Sequence, residues 1–178
     1  MAKDKPGELN IAHAGTGSVT FMCAEIFKAE AGVDMVSIPY DGGGPAIASI
    51  VAGETQVYGA PYATAKPFID SGEVKALAMT SKERPQFAPD IPTVAETIPG
   101  FEFTSFYGLV TPKGTPEDVR AKIRAALNTA LADETVSSKL NELGFDLIDE
   151  GPEEFTAFLK REIEKTAAVV KRSGIGPQ

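Results

Sequence analysis

Three times before Tyr62 the chain passes from a short apolar stretch, through a glycine-bearing turn, into a stretch of helical periodicity. Residues 9–13, 35–39 and 55–58 read as strands, residues 18–31, 43–52 and 62–71 as helices, and a further strand is expected at 74–79. Such alternation with short Gly/Pro turns implies βαβ units and a mainly parallel sheet. Ligands of such sheets sit outside the carboxyl ends of the strands, so the turns at 14–18, 39–44 and 59–62 should share one edge and form a binding cleft.

The first turn reads Ala-His-Ala-Gly-Thr-Gly-Ser. The first N–H groups of a helix have no intrahelical partner, and the helix dipole adds about half a positive charge, so a carboxylate or phosphate is stabilised there without Lys or Arg. Gly15 and Gly17 would let the backbone approach such a group. The other reading is a plain strand-to-helix turn with Ser18 or Thr16 as N-cap. The pattern is no nucleotide fingerprint: Gly17 is followed by Ser18 and Val19 instead of Lys-Ser/Thr, and Thr20 stands where a dinucleotide loop needs its third glycine. The second turn carries Gly42, Gly43 and Gly44 before Pro45, which suits either a sharp turn or N–H groups aimed at a ligand.

A chain of 178 residues buries about 70% of its unfolded surface and makes one domain or somewhat more. Its net charge of −8 argues against nucleic acid and anionic membrane surfaces, so an anionic ligand would be held by backbone dipoles. Cys23 is the single cysteine, which leaves no disulfide and no thiolate metal cluster. It shares an apolar helical face with Val19, Met22, Ile26 and Phe27 and reads as a buried core thiol. The single histidine, His13, removes most metal and general-base schemes; it would either touch a ligand beside the loop or pack. No cofactor, metal or catalytic group is expected. The opening residues lack the apolar core of a signal peptide, and no stretch is long enough to span a membrane. That fits either a cytoplasmic protein or one met without its export signal, and Pro6-Gly7-Glu8 reads as the close of a helix and turn.

Residues 81–100 are proline-rich, an ordered connection with a short helix at 93–97, and 101–111 read as a long aromatic strand packing at a hinge or lining a cleft. Thr115-Pro116-Glu117-Asp118 predicts an N-cap at Thr115 and a helix from Pro116 to Ala132. A helix at 134–143 should stop at Gly144, and another at 152–172 should have Gly174 beyond its end, with Phe155, Phe158, Leu159, Ile163, Ala167 and Val170 on its apolar face. These helices read as structural.

Several segments carry a resemblance. Gly-Glu-Leu-Asn-Ile-Ala…Gly-Thr-Gly-Ser18, Val-Ser-Ile-Pro-Tyr40-Asp-Gly, Val74-Lys-Ala-Leu-Ala-Met-Thr-Ser81-Lys-Glu-Arg84, Ile91-Pro-Thr-Val-Ala-Glu96 and Gly108-Leu-Val-Thr-Pro-Lys-Gly-Thr-Pro-Glu-Asp-Val119 resemble the substrate-binding proteins of tripartite tricarboxylate transporters, the Bug family. The likeness runs in order along nearly the whole chain, to Lys171-Arg-Ser-Gly-Ile175. It implies an α/β fold of the type II periplasmic binding protein kind, whose two lobes close on a small carboxylate and deliver it to a membrane permease. By that resemblance residues 1–107 are most of the second, ligand-binding lobe. Residues 108–178 are a hinge strand and C-terminal helices returning to a first lobe that is incomplete here, and the chain is a truncated periplasmic protein.

The resemblance also implies ligand contacts. Gly15, Thr16, Gly17 and Ser18 match the family's second-lobe carboxylate loop, and Pro39, Tyr40 and Gly42 its Pro-Tyr-x-Gly turn. The third loop, with Ala60 and Pro61, departs: Thr55-Gln-Val-Tyr-Gly-Ala-Pro61 stands where many relatives carry Val-Asp-Val-Met-Phe-Asp-Asn. Ala60 so replaces an acid that could read a ligand amine or hydroxyl, against an amino-acid ligand. Two other readings stay open. An α/β enzyme could use Ser18 or Tyr40, though no Gly-x-Ser-x-Gly elbow or partner base is present. An orphan lobe could self-associate through an apolar face left by the missing part.

Overall fold

The computed structural model describes residues 1–173; the expected stop at Gly174 and the closing Gly-Ile lie outside the described residues. Strand β1 (Asn10–His13) leads into helix α1 (Val19–Ala31), β2 (Val36–Pro39) into α2 (Gly43–Val51), and β3 (Val57–Tyr58) into α3 (Tyr62–Asp70). The sheet has the order β2-β1-β3 with both pairings parallel, as the alternation required.

That order fixes where a ligand can go. The crossover from β1 to β2 moves one way along the sheet and the crossover from β2 to β3 moves back past β1, so right-handed connections place α1 and α2 on opposite faces. β1 is the strand against which both helices pack. Its side chains divide accordingly: Ile11 joins Ala24 of α1 and Met35 in a fully buried cluster with Phe27 and Val57 beside it. His13, two residues on, sets its ring against Phe21 of α1 at 4.9 Å. Burying the Ile11 and Met35 side chains contributes about 1.5–3 kcal/mol each.

Two expected strands are absent. Residues 74–79 run irregularly, and only Met79 makes a parallel bridge, to Thr93: its N–H donates to Pro92 O at 2.8 Å and its carbonyl accepts from Val94 at 2.9 Å. That bridge lies outside the β2-β1-β3 sheet, so the alternating segment has no ladder along its length. Residues 101–111 are likewise no strand: Phe101 is buried and Phe103 N–H donates to Thr80 O at 2.8 Å, after which residues 104–111 are exposed. The aromatics of this segment pack in pairs without the strand. Phe101 meets Phe27, Phe106 meets Phe155 and Phe158, and Tyr107 meets Phe145.

The short helix is a 3-10 turn, Val94–Glu96, held by a capping box between Thr93 and Glu96. Helices α4 (Glu117–Ala132), α5 (Glu134–Glu142) and α6 (Pro152–Ser173) follow, and α6 packs back against α1. The expected cap on α4 is shifted by one residue. Pro116, with ψ 146, is the N-cap, and the Thr115 hydroxyl donates instead to Pro112 O at 2.8 Å.

Candidate functional site

The ends of the strands are in register. His13 pairs with Pro39 across β1 and β2, and Ala12 with Tyr58 across β1 and β3, so all three glycine-bearing loops leave from one edge. Tyr40 N–H donates to His13 O at 2.9 Å, and Gly15 lies with its would-be Cβ 3.7 Å from Tyr40 O. The first and second loops are thereby in contact. Gly43, first residue of α2, holds its would-be Cβ 3.4 Å from Tyr58 Oη and 3.8 Å from Thr64 Cγ2 of α3, which ties the second loop to the third.

The two helix starts on this edge differ. Ser18 is the N-cap of α1: its hydroxyl accepts from Phe21 N–H at 3.1 Å and shares a hydrogen bond with Thr20 Oγ1 at 3.0 Å, and Thr20 Oγ1 accepts from Ala14 N–H at 2.8 Å. Of the two candidate caps, Ser18 holds the place and Thr16 is exposed. Helix α2 starts at Gly42, which has no side chain to cap with and sits at φ 104, ψ 179, a conformation reserved for glycine. Its third residue, Pro45, has no N–H, so the N–H groups of Gly43 and Gly44 form an uncapped pair at the positive end of the helix dipole. Both neighbours of Ser18 Oγ are themselves a hydroxyl and an N–H, so no general base activates it.

The residues expected from sequence are therefore gathered on one edge. Gly15, Ser18, Tyr40, Gly42, Ala60 and Pro61 are half-buried, while Thr16, Gly17 and Pro39 are exposed. His13 is packed, 2% exposed, and its Nδ1 has no partner among the described residues. Cys23 is a buried free thiol whose pKa burial pushes up to about 12, so it is neither nucleophile nor ligand at neutral pH. Among the described residues no group of three or more His, Cys, Asp or Glu could hold a metal ion, and no helix is long and apolar enough to cross a membrane.

Sequence reasoning passed over Tyr58. Its hydroxyl is enclosed beside the Thr20 side chain, whose hydrogen bonding opposes the rise in pKa that burial causes. Nothing in the pattern Gln-Val-Tyr-Gly marks this; only the register that sets Tyr58 beside Ala12 and under Gly43 reveals it.

The sequence matches a protein family model described as "Tripartite tricarboxylate transporter family receptor", over residues 1–175. The chain belongs to that family. A curated relative, the UPF0065 protein in the tcbD-tcbE intergenic region of Pseudomonas sp. (strain P51), is 33% identical over 166 residues, covering 92% of this chain and 49% of the relative. Among solved structures, R. palustris Rpa4515 with adipate superposes with TM-score 0.88 at 27% identity, over 97% of this chain and 58% of that one. MatC from Rhodopseudomonas palustris with bound malate gives TM-score 0.80 at 34% identity, over 92% of this chain and 57% of that one. The chain thus spans about half the length of the curated relative and somewhat more of the two solved structures. The periplasmic binding protein BugD, with TM-score 0.86 at 31% identity over 99% of this chain and 60% of that one, agrees with the α/β class and the periplasmic-binding-protein fold expected from the motifs.

Proposed function

We propose that this chain carries most of the ligand-binding lobe of an extracytoplasmic solute-binding protein, which captures a small carboxylate between two lobes in the periplasm and hands it to a membrane permease. The single observation that carries this reading is the open N-terminus of α2 on an edge where three strand-to-helix loops meet. Gly43 and Gly44 supply donors and dipole but no acceptor, a set that suits an oxyanion. In this reading Gly15, Thr16, Gly17 and Ser18, then Pro39, Tyr40 and Gly42, then Ala60 and Pro61 contribute the three loops that meet the ligand, supported by the strand register that sends those loops to one edge. Bound adipate and malate in two receptors of the same fold support a carboxylate as the ligand class.

In this reading residues 1–107 form the ligand-binding lobe and residues 108–178 the hinge segment and the helices that belong with a first lobe. Ligand closes such a protein because it adds contacts from both lobes that coexist only in the closed form. The reading involves no covalent chemistry, cofactor or metal. A ligand bound only by the folded state stabilises it by RT ln(1 + [L]/Kd), about 2.7 kcal/mol at one hundred times Kd. A thermal-shift panel of adipate, malate, succinate and citrate against neutral and cationic controls tests it: selective stabilisation by one or more acids is expected, and stabilisation by none of them defeats the reading for this chain.

A second reading, self-association, rests on the apolar surface at Tyr107, Leu109 and Val110, which are 76%, 62% and 76% exposed, with Ile148 at 69%. Sedimentation equilibrium separates it from the first, since a monomer at micromolar concentration excludes it.

A further inference from the structure

The two halves of the chain differ in what they bury. Every buried residue lies at or before Phe101, and among the described residues none after it is buried. The chain exposes 11470 Å², whereas a folded monomer of its mass exposes about 8,300 Å². The excess, about 3,000 Å², is more than the roughly 1,000–2,500 Å² that each partner buries in an obligate dimer. We propose that residues 104–111 pair antiparallel with the same residues of a second copy of this chain; this rests on the self-association reading above and gives it a segment and a geometry.

Thr104-Ser-Phe-Tyr-Gly-Leu-Val-Thr111 has the composition of a strand and no ladder. Among the described residues none of its backbone N–H or carbonyl groups has a hydrogen-bond partner, so it presents the row of free donors and acceptors of a sheet edge. The segment is nonetheless seated: Phe106 packs on Phe155 and Phe158 of α6, and a Cβ on Gly108 would overlap the Phe155 ring. Tyr107, Leu109 and Val110 remain exposed. Main-chain pairing with an incoming strand satisfies the free backbone groups and covers these three side chains together.

Charge decides the occupant and its direction. No residue between Phe103 and Pro112 is charged, so two copies of a chain of net charge −8 can meet there without opposing like charges. The flanking charges are Glu102 and Lys113. An antiparallel pair centred between Tyr107 and Gly108 sets Glu102 of each copy opposite Lys113 of the other, whereas a parallel pair in register sets like against like. Glu102 is half-exposed, and its one ion pair among the described residues is a long contact with Lys165, at 4.0 Å. The pairing is isologous, so it closes at two copies.

Sedimentation equilibrium and hydrogen exchange on the whole 178-residue chain test this. At micromolar concentration the parent should sediment as a dimer, with alternate amides between 104 and 111 protected. Val110→Lys, at an exposed position, should weaken the dimer about a hundredfold, because a twofold interface carries the substitution twice. Leu77→Lys, also exposed but outside the segment, should leave it intact. A monomeric parent overturns the pairing and self-association together. A dimer that Val110→Lys does not weaken, that Leu77→Lys weakens equally, or in which 104–111 exchange freely overturns the pairing and leaves self-association standing.

Discussion

The sulfur of Cys23 stands 2.9 Å from where a Cβ on Gly59 would lie, closer than side-chain carbons approach, so the first turns of α1 and the end of β3 are packed backbone to thiol. Gly59→Ala should destabilise the fold by about 1–3 kcal/mol through overpacking. Cys23→Ala in the same chain should return a large part of that loss by clearing the space. Urea denaturation of the two single variants and the double variant gives the coupling energy; additive effects would contradict the contact.

The same burial has a pH signature. Because the folded thiol is held at about 12, well above its usual value of 9.0, the unfolded chain releases this proton first as pH rises. The stability associated with Cys23 is therefore intact below pH 9 and is lost progressively toward pH 12. Cys23→Ala should flatten the alkaline limb of the Tm against pH curve, and a thiol reagent at pH 8 should label the native parent only at the rate of unfolding. Immediate labelling without denaturant would contradict this burial.

At the other extreme of pH, Glu96 governs. The Arg84 guanidinium, bonded to both of its oxygens at 2.7 Å, and the Thr93 N–H hold its carboxyl down to about 2. A carboxyl depressed in the fold contributes stability that is present above its usual value of 4.5 and fades as pH falls toward 2. Glu96→Gln should lower stability near neutrality and give a shallower decline between pH 4.5 and 2. Both partners are half-exposed, so added salt should shrink the difference.

Ser18 and Gly42 sit at neighbouring helix starts with opposite demands. Ser18→Ala removes the cap on α1 and should cost about 1 kcal/mol of stability, with carboxylate affinity changed little, since a backbone clamp does not use the hydroxyl. Gly42→Ala places a side chain at φ 104 and should both destabilise and weaken binding by moving the start of α2. Melting curves and titrations on the same two variants check the pair. A larger binding loss from Ser18→Ala than from Gly42→Ala would show that the clamp is the Ser18 side chain.

Much of this is legible in the sequence alone. The α/β alternation, the common edge of the three loops, the buried Cys23 and the helices after Thr115 follow from local periodicity, glycine and proline chemistry, and elimination among reactive residue types, all of which are properties of short windows. The segments at 74–79 and 101–111 look like strands on the same local grounds and are not, since a strand is defined by the ladder beside it, and these segments make only the Met79–Thr93 bridge and the Phe103–Thr80 hydrogen bond. Within the site the sequence pointed first at the turn ending in Ser18. Tertiary structure moved the weight to α2, because the Ser18 hydroxyl caps its own helix while Gly42 leaves the next one open. Tyr58 became visible only through the strand register and the approach of Gly43. Whether a polar atom is paired depends on residues distant in the chain, and that is settled by packing.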